Sequence, residues 1–122
     1  MLETNKDYSI HVASAKHAVA AMLSKNKIKD LYFSKHFFER AVERNLETKL
    51  ESLFHMACKA LADMRSHTYS DYRYKVFSNR SIYLAAKVEV GVVTGNRRLV
   101  VQTCYDIDVF DAKHYDCCLK FC

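Results

Sequence analysis

The chain is expected to fold as one α+β domain, with helices in its first half packed on an antiparallel β-sheet of about three to four strands in its second. Two observations lead there. Apolar residues recur at helical spacing up to about residue 66, and from about residue 70 they alternate with a period of two. The 122 residues are 50% hydrophobic with no Pro and only two Gly, which suits one real core and disfavours a loop-rich or disordered chain. No composition break marks a second domain, so residues 1–66 read as mainly helical, 70–106 as a β-meander and 107–122 as a tail.

Residues 9–26 (SIHVASAKHAVAAMLSKN) read as the first helix, with Val12, Ala15, Val19, Met22 and Leu23 on one face and Ser9 as its cap. A short strand, LYF, follows at 31–33. Ser34 suits the N-cap of a second helix, SKHFFERAVERNL, and Asn45 suits its end. A third helix is expected from about Thr48 to Met64, with Thr48 and Glu51 at capping-box spacing.

Strands follow. Tyr72, Tyr74 and Val76 alternate with Arg73 and Lys75. Ile82, Leu84, Ala86, Val88 and Val90 alternate with Tyr83, Ala85, Lys87 and Glu89. Leu99, Val101, Thr103 and Tyr105 alternate with Arg98, Val100, Gln102 and Cys104. Ser78-Asn79-Arg80 and Thr94-Gly95-Asn96 are the expected turns, and the tail (DAKHYDCCLKFC) is expected either to add an edge strand or to stay mobile.

The charge count is 19 Lys+Arg against 14 Asp+Glu, a net of +5. Asp106, Asp108, Asp111 and Asp116 fall at the end beside only Lys113 and Lys120, so the body is more basic than the whole. Such a body suits a polyanionic partner. The five cysteines, Cys58, Cys104, Cys117, Cys118 and Cys122, make no disulfide framework and read as reduced thiols of a cytoplasmic protein. No signal-type or membrane-spanning run is seen, so no membrane partner is expected. His114, Cys117, Cys118 and Cys122 match no usual zinc spacing, and no Gly-rich phosphate loop is present. No metal and no cofactor are expected.

On a helical wheel of about 100° per residue, His36, Arg40 and Arg44 share one edge of the second helix, while Phe37, Phe38, Ala41 and Val42 form its apolar arc. An imidazole one turn from a guanidinium can move a proton near neutral pH beside a cation that holds a phosphate. In the third helix Leu50, Leu53, Phe54, Ala57, Leu61 and Met64 face inward. His55 falls opposite, near Ser52 and Lys59. Two histidines with basic helpers fit metal-free RNA cleavage, in which one removes the ribose 2′-hydroxyl proton and the other protonates the leaving 5′-oxygen. The alternative is two solvated helix faces with surface histidines. On the sheet, Arg73, Lys75, Arg97 and Arg98 interleave with Tyr69, Tyr72, Tyr74, Tyr83 and Tyr105, a pattern suited to single-stranded RNA. The competing reading is that these rings cover the edge of the core.

The run YFSKHFFERAVERNL, followed by SLFHMA, resembles the phage endoribonuclease family of RegB, in which a Y-S-Q-H-L-L-D-R-A-I-Q-R type helix precedes one carrying E-L-F-H-K. The likeness covers roughly residues 31–57. It implies a RelE/YoeB-like fold and sequence-preferring, metal-independent cleavage of mRNA to a 2′,3′-cyclic phosphate. It also implies His36 and His55 as the catalytic pair, with Arg40 beside them. Arg44, Lys59, Arg73, Lys75, Arg97 and Arg98 remain RNA-binding candidates read from the residues alone. The partners expected are single-stranded mRNA and, in some settings, the ribosome or a ribosomal protein, for a monomer or weak dimer in the cytoplasm of the phage's host. The alternative is a phage protein of the same fold that binds and inhibits a host factor or defence complex.

Overall fold

Helix ends set the frame on which everything else is hung. The computed structural model describes residues 2–66, 74–78, 82–93, 95–106 and 118–120. Helix α1 spans Leu2–Lys25, strand β1 Leu31–Phe33, helix α2 Lys35–Glu43, a 3₁₀ turn Glu47–Lys49 and helix α3 Leu50–Ser66. Strands β2 (Tyr74–Ser78), β3 (Ile82–Val90), β4 (Arg97–Asp106) and β5 (Cys118–Lys120) complete the fold. Ser34 caps α2 as expected, its Oγ accepting from the Phe37 amide at 3.1 Å. At the other end Asn45 takes φ +56, and the amides of Asn45 and Leu46 donate to the carbonyls of Val42 and Ala41. This reversal satisfies helix-end carbonyls and turns Leu46 into the core. Helix α1 ends in the same way with Lys27 at φ +52, where the amides of Lys27 and Ile28 donate to Ser24 and Leu23.

Two helix starts differ from expectation. Helix α1 begins at Leu2 rather than Ser9, because nothing before Ser9 breaks a helix and Tyr8 is anchored through its hydroxyl to the Glu39 carbonyl. Thr48 does not cap α3. It lies inside the 3₁₀ turn, whose cap residue Leu46 makes no side-chain bond. The Lys49 amide donates back to the Leu46 carbonyl, which continues the chain directly into α3.

The sheet has five strands in the order β1-β4-β3-β2-β5. The antiparallel meander β2-β3-β4 is as expected, but both outer strands, β1 on β4 and β5 on β2, pair parallel. Part of the tail thus forms an edge strand. Between β3 and β4 the register slips: Ala85 pairs with Thr103 and Ala86 with Val101, leaving Gln102 as an extra residue. That bulge shifts the alternation by one. Leu99 and Val101 face the helices, but beyond Gln102 it is Cys104, opposite Leu84, that is fully buried on the helix side. The even alternation expected through Thr103 and Tyr105 therefore fails at Gln102. In β2 the register sets position 77, rather than 76, opposite the core residue Leu84. The β3–β4 hairpin closes on the Gly91 and Asn96 backbones, wider than the expected three-residue turn, with Gly95 at φ +71 where a side chain would be strained. Ser78 ends β2, and Asn79, Arg80 and Thr94 lie outside the described residues.

The core lies between the helices and one sheet face. Ala15 and Val19 of α1, Phe37, Phe38 and Ala41 of α2, and Leu53, Phe54, Ala57, Ala60, Leu61 and Met64 of α3 meet Ile82, Leu84, Ala86, Val88, Leu99 and Val101. Phe33 joins the layers, with its ring 4.9 Å from Phe37, 6.2 Å from Phe38 and 6.4 Å from Phe54. Each fully buried side chain of this size contributes about 1.5–3 kcal/mol. The fold is α+β, with helices from the first half on a sheet built mostly from the second. Among the described residues no helix is long and apolar enough to cross a membrane.

Candidate active site

Helix α2 is fastened to β4 at its first turn. The Ser34 amide donates to the Val101 carbonyl at 2.9 Å and its hydroxyl donates to the Gln102 carbonyl at 3.0 Å. With Phe37, Phe38, Ala41 and Val42 buried, the opposite flank carries His36 and Arg40, both partly exposed. Arg40 Nε donates to His36 Nε2 at 3.1 Å. The acceptor in that bond is the Nε2 lone pair. Arg40 also pairs through Nη1 with the Glu43 carboxylate one turn on. That hydrogen bond, more than the surrounding charges, pushes the guanidinium above its already high value.

Helix α1 adds a residue that sequence spacing did not single out. The Tyr8 hydroxyl donates to the Glu39 carbonyl at 3.0 Å. Desolvation raises its pKa most, Glu43 and Glu39 add to the rise, and Arg40 opposes it. Tyr8, His36, Arg40 and Glu43 thus form one polar cluster where α1 crosses α2. His11 likewise finds a partner thirty-odd residues away, with Nδ1 3.0 Å from Glu47 Oε2. Neither partnership leaves a signal in local spacing, because both depend on how the helices cross.

His55 sits apart from this cluster. It projects from α3 with its side chain 67% exposed, and its Nε2 lies 3.8 Å from Glu51 Oε1 one turn back. Its ring meets Phe54 edge-on at 6.1 Å. Among the described residues, no hydrogen bond, ion pair or ring contact joins it to His36 or Arg40. Lys59 is exposed one turn further along α3, on the side the wheel assigned to it.

Arg44 shares the edge of α2 with His36 and Arg40 but turns to the sheet. Its Nη1 donates to Thr103 Oγ1 at 3.2 Å and to the Cys104 carbonyl, and its Cζ lies 4.4 Å over the Tyr105 ring. Tyr105 in turn stands directly across from Tyr83 on the sheet face turned away from the core. Arg98 lies at the far end of β4, paired with Glu89 at 3.2 Å and lying over Tyr32 at 5.0 Å. Arg97 begins the same strand and is half-buried. At roughly 3.3 Å per strand residue, Arg97 and Arg98 are roughly 20 Å from the Arg44–Tyr105 contact. As consecutive strand residues they point to opposite faces of the sheet, and neither extends the His36 cluster. Arg73, Tyr69 and Tyr72, the side chains of Lys75 and Tyr74, and the His114–Cys122 group considered for zinc lie outside the described residues.

Burial raises the Cys104 thiol to about 12 against a small opposing pull from Arg44. Cys58 is also raised by burial. Neither is poised as a nucleophile, which needs a lowered pKa. No family model, curated protein or solved structure matches this chain.

Proposed function

We propose that the protein is an endoribonuclease of the RegB kind with a RelE/YoeB-like architecture, cleaving mRNA with sequence preference by histidine acid–base chemistry and without a metal. The observation that carries this reading is the hydrogen bond from Arg40 Nε to His36 Nε2 on a partly exposed helix flank. A bound phosphate would draw the Arg40 guanidinium toward its own oxygens, releasing the His36 lone pair beside the sugar. In the reaction one imidazole removes the 2′-hydroxyl proton and the 2′-oxygen bonds to phosphorus. The phosphorus–O5′ bond breaks as a second acid, His55 in this scheme, protonates O5′. Products are a 2′,3′-cyclic phosphate and a 5′-hydroxyl. Arg40 stabilises charge on the phosphorane, and Arg44, Lys59, Arg73, Lys75, Arg97 and Arg98 are the candidate cations along the strand. Single-stranded mRNA is the proposed substrate in a host cytoplasm, free or on the ribosome, for a monomer or weak dimer.

The test is incubation with total RNA followed by end-group analysis. His36→Ala and His55→Ala should each slow cleavage by roughly 10²–10⁴-fold, Arg40→Ala should do the same, and EDTA should change nothing. Full activity of His36→Ala would refute the assignment. The position of His55 outside the Tyr8–His36–Arg40 cluster favours a second reading, a non-catalytic protein that binds and inhibits a host factor or defence complex. Intact RNA after prolonged incubation with the wild type would select it.

A further inference from the structure

A groove lies away from His36's polar cluster, between the second half of α1, the 28–30 connection, β1 and the start of α2. It encloses about 740 Å³, within the roughly 300–1,000 Å³ range of ligand clefts. Its apolar wall comes from Val19, Leu23, Ile28, Leu31, Phe33 and Phe38. Lys16, Lys29 and Lys35, all exposed, also line it, against Asp30 as its one acidic residue. An apolar trough edged by lysines is neither a solvated face nor a nucleic-acid platform. RNA grooves rely on ring stacking and arginine forks, whereas here Tyr32 is the exposed ring and no arginine lines the wall.

We propose that this groove is a docking site for an acidic peptide segment of a partner protein, one that carries large apolar anchors among its carboxylates. The anchors would occupy the space over Leu23, Ile28 and Phe38, while the acids would lie within reach of Lys16, Lys29 and Lys35. The polarity of the charges sets the class of partner: a basic segment would meet three like charges at the rim, and like charges brought together at an interface oppose association. The apolar wall supplies most of the favourable term, and the lysines decide which segments approach. Val92 and Val93, exposed at the tip of the neighbouring hairpin, line a smaller cleft that shares Asp30 and Tyr32 with the groove.

The experiment is selection from a random dodecapeptide display library on the wild-type protein, with counter-selection on the Lys16→Glu/Lys29→Glu/Lys35→Glu variant. These lysines are exposed, so the variant should unfold like the wild type, which circular dichroism checks. The expected result is enrichment of acid-rich peptides with two or more large apolar residues. They should bind the wild type in the micromolar range and the triple variant at least tenfold more weakly. Ala20→Glu, which places an acid at an exposed lining position without touching the core, should weaken them similarly. His36→Ala should leave the affinity unchanged, which separates this site from the proposed catalytic one. Enrichment of basic or neutral peptides, no enrichment, or displacement of the selected peptide by a single-stranded RNA oligonucleotide at low micromolar concentration would overturn the proposal.

Discussion

Replacing Arg44 by alanine separates two roles that its position on α2 leaves open. The guanidinium donates to the Cys104 carbonyl and to Thr103 Oγ1 and lies over Tyr105. A charged donor to a partly buried carbonyl contributes about 1.5–3 kcal/mol and a hydroxyl partner about 0.5–1. The ring contact adds about 0.5–1. The side chain is only partly buried and the three contacts share one cation, so the net loss on truncation is about 2–3 kcal/mol. Urea unfolding followed by circular dichroism should show a midpoint shift of that size with an unchanged m-value. The melting temperature should fall by roughly 8–12 °C. Arg44→Lys keeps the charge but not the planar fork, and should recover less than half. If Arg44 served RNA instead, truncation would leave stability within about 0.5 kcal/mol of wild type and flatten the salt dependence of RNA binding. That outcome would refute the view that Arg44 fastens α2 to β4.

Lys27→Gly should raise stability by about 1 kcal/mol in a thermal melt, because Lys27 sits at φ +52, where a side chain costs about 1–2 kcal/mol. Deleting Gln102 should keep unfolding cooperative and cost only about 0.5–1.5 kcal/mol in a thermal melt, since Val101 and Thr103 already pair with the adjacent Ala86 and Ala85, Cys104 stays opposite Leu84, and what is lost is the Ser34 hydroxyl's bond to the Gln102 carbonyl. The Cys104 thiol, raised to about 12 from the usual 9.0, should resist alkylation in the native state at pH 8.5. Its folded pKa lies above the unfolded one, so its contribution to stability is complete below pH 9 and is lost as pH climbs toward 12. Cys104→Ala should therefore flatten the alkaline arm of the stability curve.

Much of this arrangement was readable in the residues because it is local. The cap at Ser34, the reversal at Asn45 and the inward face of α3 each follow from residue type and spacing over one or two turns. LYF at 31–33 was recognisable as a strand, but not its parallel pairing with β4, which joins positions 68 residues apart. The bulge at Gln102 was hidden because LVVQTCY carries apolar residues in both phases, so alternation alone could not show the slip. At the candidate site, the His36–Arg40 pair was visible as an i, i+4 spacing. Tyr8 and the Glu47 partner of His11 were not, since both arise from how α1 packs across α2 and the 3₁₀ turn that follows it. Arg44 was assigned to the right edge, but its long side chain reaches around to β4, and reach is a tertiary property.

The two parallel outer strands carry a practical consequence. Each flank of the β2-β3-β4 ribbon is shielded by a three-residue piece brought in from a distant stretch of chain. Removing residues 118–120 would bare the β2 margin along Val76, Phe77 and Ser78, and a bared margin recruits whatever strand is near, including a second molecule's. Versions lacking residues 118–120 are expected to self-associate through β2 as concentration rises.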